Sequence, residues 1–497
     1  MIDSKHRNTA LLVAGCFFLE NLDGTIVSTG APRMGTALGV APTAIGLVVT
    51  AYLVTLAVLI PLSGWLAARF GPRRVFLTAI AVFTAASLAC ALSTSLGWLV
   101  AMRVVQGAGG AMMVPVGRLM VVSGVDKPDI PRLISYVVWP GLVAPVIAPL
   151  LGGLITTYAS WPWMFLVNIP LGAVAFAVAW RLVDDGPGRT APPRLDRTGV
   201  LLTSTGLGAL TWTAHLLSDR HAQGTPVAVF GVLSVALLAA AARHLLRTEH
   251  PLVDLRTLRI PAFRASVSGG SLFWITVAAV PFVLPLLFQE AFGWSAVKSG
   301  AMVLFVFVGN IGIKPATTRL LQRFGFRPLL VTAAAGVVAT TVLCGFLTAG
   351  TPVALIAALA VVSGAARSLG LTCYQVIAFA DVPQERMGHA NTLQSTAQQA
   401  AAGLGVAAAT VALRAGEWVR PGSAYAVAFC LLALVSVGAL VGAVRMHPGA
   451  GGAVVGGAVV GGAPRSRPRV APPQGRGELR DRPQPAGTRN DTVTPPA

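Results

Sequence analysis

Charged and amide side chains inside long apolar runs are the residues of this sequence best placed to do chemistry. Arg103 stands in the run LVAMRVVQGAGGA and is followed by Gln106. An arginine at the centre of a membrane-spanning helix costs about 2.5–3.5 kcal/mol on insertion scales, so it needs an anionic partner or a water-filled cavity. Two acids, Glu20 and Asp23, lie deep in the first apolar run and on one helical face. We predict that Arg103 is buried and faces both acids.

A buried carboxylate beside a guanidinium is suited to binding and releasing a proton. Burial disfavours the ionised carboxylate and a nearby arginine favours it, so small changes in the surroundings can switch its protonation. We predict that Asp23, with or without Glu20, takes up a proton, and that Arg103 sets the pKa of the acid and holds the site when the acid is ionised. Gln106 is predicted to belong to the same proton-coupling or substrate site. A fixed structural ion pair is the alternative interpretation.

Composition places these residues in a membrane. Of the 497 residues, 55% are hydrophobic and 11% are charged, whereas soluble domains carry about 25% charged residues. The apolar runs last about 20 residues, which is the length of a helix that spans a bilayer. Five cysteines lie in these runs without a CxxC pattern, which favours neither disulfides nor a metal site. The sequence predicts an all-α polytopic membrane protein with fourteen transmembrane helices.

Two polar linkers divide the fourteen runs into six, two and six. The predicted organisation is a cytoplasmic N-terminus at 1–10, a six-helix bundle at 11–183, a cytoplasmic linker at 184–199, an extra helix pair at 200–246, a second cytoplasmic linker at 247–262, a second six-helix bundle at 263–446 and a disordered cytoplasmic tail at 447–497. An internal repeat supports the division, because Trp65–Ala79 aligns with Arg319–Ala333 in the corresponding loop of each bundle. Duplicated bundles around a midplane site are typical of secondary transporters.

Positive charge is distributed unevenly along the chain. Most of the 37 lysines and arginines fall on one side of the predicted spans, while the loops on the other side hold Arg33, Arg220, Lys298, Arg414 and Arg420. The positive-inside rule then predicts a cell-membrane protein with both termini in the cytoplasm. The net charge of +19 is explained by this topology and by contact with anionic lipids. Nucleic-acid binding is not expected.

Four stretches of the sequence have a motif-like order and spacing. They are LDGTIVSTGAP (Leu22–Pro32), GWLAARFGPRR (Gly64–Arg74), RVVQGAGGA (Arg103–Ala111), and PVIAPLLGG followed by WPWMFLVNIPLG (Pro145–Gly153 and Trp161–Gly172). In this order the stretches resemble the motifs of the major facilitator superfamily, in particular its fourteen-span drug:proton antiporter group, the EmrB/QacA type. The likeness covers roughly residues 10–445.

The resemblance implies export of lipophilic or cationic drugs by alternating access, with the proton gradient as the energy source and no cofactor. It assigns an antiporter signature on helix 5 to Pro145, Pro149, Gly152 and Gly153. It assigns a cytoplasmic gate loop to Gly64, Arg69, Gly71, Arg73 and Arg74. Ala68 stands where the family's loop motif has an aspartate, so the cytoplasmic charge latch is expected to be weaker or supplied elsewhere.

Polar residues in the second bundle are further candidates. Asn310, Gln394 and Gln398 lie in apolar runs, where they would line a polar cavity or form only interhelical hydrogen bonds. Arg103 and Arg367, the two arginines placed within spans, would also suit an anionic substrate.

The sequence leaves other functions open. The alternative within transport is a dedicated exporter of one metabolite, such as a self-made antibiotic or an organic anion. An enzyme is not expected, because the sequence has no GxSxG, no HExxH and no paired aspartates at membrane depth. It also has no ATP-binding motif. The expected partners are a small-molecule substrate, protons and membrane lipids, and a monomer is expected.

Overall fold

Long helices make up the regular structure of this protein. The computed structural model describes residues 4–40, 42–123, 125, 127–184, 194–218, 224–419 and 421–455. The first helices are α1 (Ser4–Leu38), α2 (Gly46–Leu59), α3 (Ser63–Phe70), α4 (Pro72–Ala91), α5 (Leu96–Val122), α6 (Ile130–Tyr158), α7 (Trp163–Leu166) and α8 (Asn168–Leu182). They are followed by α9 (Arg197–Ser218), α10 (Gly224–Arg247), α11 (Pro261–Leu286), α12 (Ala296–Gly312), α13 (Lys314–Phe324), α14 (Phe326–Gly345), α15 (Val353–Ala380), α16 (Met387–Val419), α17 (Ala424–Val444) and α18 (Gly452–Val455).

Many of these helices can cross a membrane. Among the described residues, eleven are long and apolar enough, or twelve if the bent pair Lys298–Gly312 and Lys314–Phe324 forms one span. The helices α6 and α16 contain 29 and 33 residues. The chain is therefore a multi-pass membrane protein, and the total of fourteen spans stays a prediction.

The first two spans show local features that the sequence analysis did not predict. The helix α1 begins at Ser4, within the predicted N-terminal segment at 1–10. A short 3-10 turn at Ile60–Leu62 separates α2 from α3. Pro61 in this turn explains the break, because proline lacks the amide hydrogen that an α-helix requires.

The helices pack in two groups. In the first group α1 lies along α6, α4 along α5, and α8 against α1 and α4. In the second group α12 lies along α15, α14 against α15 and α17, and α11 against α16 and α17. The pair α9 and α10 packs together, and α9 contacts both α2 and α16. We refer to the groups as the first and second bundle; the predicted boundaries stay a prediction, and residues 456–497 of the predicted tail lie outside the described residues.

The two copies of the internal repeat have the same local structure. Gly71 and Gly325 follow α3 and α13 with φ of +87° and +76°, a left-handed conformation that glycine adopts without strain. Arg73 donates to a backbone carbonyl in the last turn of α8, and Arg327 donates to one at the end of α17, both at 2.9 Å. Each loop is therefore fixed to the last long helix of its own bundle. We call this side of the molecule the loop end.

The bundles are packed together at the loop end. A Cβ added to Gly64 in α3 would lie 2.3 Å from Thr392 Oγ1 in α16. Asn391 Nδ2, also in α16, donates to the backbone oxygen of Pro115 in α5 at 2.8 Å. One hydrophobic cluster joins residues of α5 and α6 to residues of α11, α14 and α15. The interface between the bundles is closed at this end.

Glycine contacts between α12 and α15 provide a test of the helix packing within the second bundle. A Cβ on Gly309 would lie 1.8 Å from the backbone oxygen of Val361, so Gly309→Ala should push the helices apart at a cost of about 1–3 kcal/mol. Gly300 is in the same helix and has no described atom within 4 Å of its Cβ position. We expect Gly309→Ala to lower the Tm of the detergent-purified protein and Gly300→Ala to leave it unchanged or raise it. Equal effects would contradict the close contact.

Candidate functional site

A buried ion pair joins α1 to α5. Asp23 and Arg103 are both 0% exposed, and Arg103 Nη1 donates to Asp23 Oδ2 at 2.5 Å. Arg103 Nε donates to the backbone oxygen of Val48 at 3.2 Å, and its guanidinium lies 4.3 Å from the centre of the Tyr52 ring. The prediction that Arg103 is buried and faces Asp23 is confirmed.

Amide side chains complete the surroundings of Asp23. Gln106 Nε2 and Asn168 Nδ2 both donate to Asp23 Oδ1, at 2.9 and 2.6 Å. Gln106 also accepts from Arg103 Nη1 at 2.7 Å and donates to Ser87 Oγ at 2.7 Å. The ionised carboxylate thus receives hydrogen bonds from α5 and α8, as a buried charge requires. We name Asp23, Arg103, Gln106 and Asn168 the acid site.

Asn168 was missed as a site residue by the sequence analysis. It belongs to the stretch Trp161–Gly172, which was singled out for its resemblance to a family motif. An amide side chain at the start of an otherwise apolar helix was a usable signal, because such side chains require hydrogen-bond partners in a membrane. The sequence did not show that its partner would be Asp23, since this depends on how α8 packs against α1.

Glycines in α5 bring the acid site together. A Cβ on Gly107 would lie 2.8 Å from Thr55 Cβ in α2, and one on Gly109 would lie 2.8 Å from the backbone oxygen of Ala79 in α4. Larger residues at these positions would separate α5 from both neighbours. The short distances between backbones explain why the Arg103 and Gln106 side chains reach α1 and α4.

The prediction that Glu20 also faces Arg103 was wrong. The cation with which Glu20 interacts electrostatically is Arg118, in the last two turns of α5. Glu20 Oε2 is buried without a hydrogen-bond partner among the described residues. The reason is that α1 and α5 are antiparallel. Asp23 contacts Arg103 and Val13 lies next to Gly117, so Glu20 lies beside a part of α5 that follows Arg103.

Arg118 was also missed. The charge pattern placed it at the inner end of a helix, but it is only 2% exposed. Its Nη1 donates to Gln398 Oε1 in α16 at 3.3 Å, and its Nε has no partner in the described part of the chain. The sequence shows Arg118 fifteen residues after Arg103, but how deeply it is buried depends on the final helix packing. Arg118 connects the first bundle to the second.

The other predicted polar residues of the second bundle lie at different places. Gln394 is 3% exposed, and its Oε1 accepts from Ser266 Oγ in α11 at 3.4 Å. Asn310 is 6% exposed in α12, and its backbone nitrogen would lie 3.0 Å from a Cβ on Gly364 in α15. Gln398 lies at the interface of the bundles, where it accepts from Arg118, whereas the described contact of Gln394 is within the second bundle. A common cavity with Asn310 stays a prediction.

The predicted antiporter signature of helix 5 lies on α6 in this structure, and the described contacts explain only part of it. A Cβ on Gly152 would lie 1.9 Å from Thr29 Oγ1, so Gly152 allows α6 to approach α1. No described atom lies within 4 Å of the Cβ position of Gly153, and this residue is exposed on another face of α6. The side chains of Pro145 and Pro149 lie outside the described residues.

The gate loop lies at the loop end of the first bundle. Gly64 contacts α16, Gly71 turns the chain, and Arg73 binds the end of α8, whereas Arg69 and Arg74 are exposed. Ala68, which replaces the expected aspartate, borders a cavity of about 320 Å³. Three acids also line this cavity: Glu249, Asp254 and Glu385. They are candidates for the negative charge that the loop itself lacks.

Comparison with known proteins identifies the family. Residues 13–406 match the family model of the Major Facilitator Superfamily. The chain belongs to the Major Facilitator Superfamily. It is 36% identical over 412 residues to the multidrug resistance protein MdtD of Cronobacter sakazakii, which covers 81% of this chain and 85% of that protein. It is 34% identical over 404 residues to the MdtD of Pectobacterium carotovorum, covering 81% and 86%. Both names give the multidrug resistance role as an inferred one.

Solved structures agree with the superfamily fold. The human organic anion transporter MFSD10 has a TM-score of 0.64 at 15% identity, with 89% of this chain and 100% of that chain covered. The proton:xylose symporter XylE has a TM-score of 0.61 at 16% identity, with 88% and 95% covered. At these identities the likeness concerns the fold alone. The predicted major facilitator fold is confirmed, and membership of the fourteen-span antiporter group stays a prediction.

The acid site predicts strong coupling between its two charges. Removing one partner of a buried ion pair leaves an uncompensated charge, at a cost of about 3–5 kcal/mol. We expect Asp23→Leu to lower the stability of the purified protein strongly, and the double variant Asp23→Leu/Arg103→Met to recover much of the loss. Thermal unfolding of the wild type, both single variants and the double variant measures the coupling. Additive losses would show that the two side chains contribute independently.

Proposed function

We propose that this protein is a secondary active transporter that exports lipophilic or cationic small molecules in exchange for protons. Membership of the Major Facilitator Superfamily and the multidrug resistance names of its relatives support the transport of small molecules. The observation that carries the coupling to protons is the acid site, in which the only deep carboxylate with a direct arginine partner among the described residues is Asp23. Energy comes from the proton gradient, and catalysis has no part in this scheme.

Protonation of Asp23 would loosen the acid site. The ionised carboxylate accepts from Arg103, Gln106 and Asn168, and these hydrogen bonds to a charged group are the strong ones. A neutral acid accepts more weakly and leaves Arg103 without a counter-ion, which frees α1 to move relative to α5 and α8. A cationic or polarisable substrate would compete with the proton for the same carboxylate. One proton moving down 100 mV supplies about 2.3 kcal/mol, or roughly fifty-fold accumulation.

Glu20 and Arg118 would carry the charge state of α1 to the second bundle. Arg118 donates to Gln398, and it lies within electrostatic range of Glu20 without forming a salt bridge with it. When Glu20 takes up a proton, Gln398 remains the only described partner of Arg118. Protonation of Glu20 therefore removes a negative charge near the hydrogen bond between Arg118 and Gln398. This change would link protonation to the separation of the bundles.

The orientation follows from the distribution of charge. The positive-inside rule places the loop end, both chain termini and the gate loop in the cytoplasm of a cell that carries the protein in its plasma or inner membrane. Contacts such as Gly64 with Thr392 and Asn391 with Pro115 then close the cytoplasmic side. In this orientation the structure corresponds to a state that is closed toward the cytoplasm.

Transport assays test the role of the acids. In everted vesicles with an imposed proton gradient, Asp23→Asn should abolish uphill transport of a fluorescent lipophilic cation, because its amide cannot exchange a proton at this site. Exchange without a gradient should persist. The matched control is Glu417→Gln, which removes an exposed acid near the end of α16 and should keep wild-type transport.

The double variant in the same assay tests both acids together. If Asp23→Asn/Glu20→Gln transports uphill at the wild-type rate, neither acid couples transport to protons and the proposal is wrong. A panel of compounds measured with the wild type also distinguishes broad drug export from export of one metabolite.

The link through Arg118 makes a separate prediction about conformation. Gln398→Leu removes the hydrogen-bond acceptor of Arg118 in α16, so the closed loop end should become less populated. Distances between spin labels on the gate loop and the corresponding loop of the second bundle measure this. Gln399→Leu, one residue along the same helix and only partly buried, is the control that should leave the distances unchanged. An identical distance distribution for Gln398→Leu and the wild type would contradict the proposed link.

A further inference from the structure

A cleft rich in positive charge lies between the bundles at the loop end, away from the acid site. Its volume is about 630 Å³, and its polar lining consists mainly of Arg132, Ser135 and Tyr136 in α6, and Lys314, Arg319 and Gln322 in α13. Among the described residues, its lining includes no acid. The helices α6, α12 and α13 are in contact, so the two walls belong to different bundles. We call this site the basic cleft.

The three cations of the basic cleft are available to a ligand. None of them forms an ion pair with a described residue. Lys314 Nζ donates to Thr372 Oγ1 in α15 at 2.7 Å, which holds the side chain at the inner wall. Arg132 and Arg319 are exposed on opposite walls. Like charges gathered in a partly enclosed site repel each other, so an anion bound among them would stabilise the arrangement.

The surface next to the basic cleft is apolar and exposed. Leu304, Val308 and Ile311 follow one face of α12 at helical spacing and are 48%, 57% and 46% exposed. Ile311 also lines the basic cleft, so the apolar face and the cationic site are continuous. A ligand that fits both has an anionic head and a hydrocarbon chain. A soluble phosphate would use the cations but would gain nothing from the face of α12.

We propose that the basic cleft binds the phosphate group of an anionic phospholipid whose acyl chain lies along α12. Arg132 holds the phosphate from the first bundle, and Lys314 and Arg319 hold it from the second. The lipid thereby bridges the bundles at the loop end and stabilises the closed interface there. The binding site does not depend on what the protein transports, so it can fail or hold independently of the proposed function.

Lipid binding to the purified full-length protein tests the site. Native mass spectrometry in a neutral detergent counts retained lipids after titration with phosphatidylglycerol, and phosphatidylcholine is the uncharged reference. Each arginine near a membrane surface contributes about 1 kcal/mol to binding an anionic lipid. The double variant Arg132→Gln/Arg319→Gln should therefore bind phosphatidylglycerol about 25-fold more weakly, while Arg132→Lys/Arg319→Lys should retain most of the affinity.

A matched variant and a soluble ligand serve as controls for charge loss elsewhere and for phosphate binding without a lipid. Arg243→Gln/Arg247→Gln removes two exposed charges from the last turns of α10 and should leave phosphatidylglycerol binding unchanged. Glycerol 3-phosphate should not raise the Tm at concentrations where phosphatidylglycerol does. The proposal is overturned if both double glutamine variants lose binding equally, if phosphatidylcholine binds as well as phosphatidylglycerol, or if the soluble phosphate stabilises the protein as much as the lipid.

Discussion

The burial of Asp23 with Arg103 is the constraint on which the rest of the first bundle depends. Both side chains are 0% exposed, and each charge would cost several kcal/mol if it were left unpaired at this depth. Their hydrogen bonds therefore fix how α1, α5 and α8 are rotated. Under the proposed function, loss of the carboxylate charge would leave the guanidinium without a counter-ion and loosen this arrangement.

The antiparallel order of α1 and α5 distributes the charges of these helices along the bundle. Asp23 faces Arg103, whereas the earlier Glu20 interacts with the later Arg118, which also reaches Gln398 in the second bundle. One pair lies inside the first bundle and the other lies near the interface. The two acids of α1 therefore have different surroundings, and only the surroundings of Glu20 extend to the second bundle through Arg118 and Gln398.

The interface of the bundles at the loop end combines backbone contact with polar contacts. Glycine at position 64 brings α3 to the side chain of Thr392, and Asn391 binds the backbone at Pro115. The basic cleft opens beside this interface, with cations on both sides. Contacts within the protein and a bound lipid would therefore favour the same closed arrangement, and both must be released when the bundles separate.

The sequence by itself determined the class of protein, the repeat and one partner of the acid site. Hydropathy and charge distribution identify membrane helices because a helix satisfies its backbone hydrogen bonds within one apolar segment, as lipid requires. The pairing of Arg103 with Asp23 follows from the cost of a buried charge. The contacts of Asn168, Arg118 and Gln398 were decided only by the tertiary structure. They depend on which face of each helix meets its neighbour and on the register of antiparallel helices, and hydropathy does not encode either quantity. For the same reason Glu20, three residues from Asp23, has a different partner.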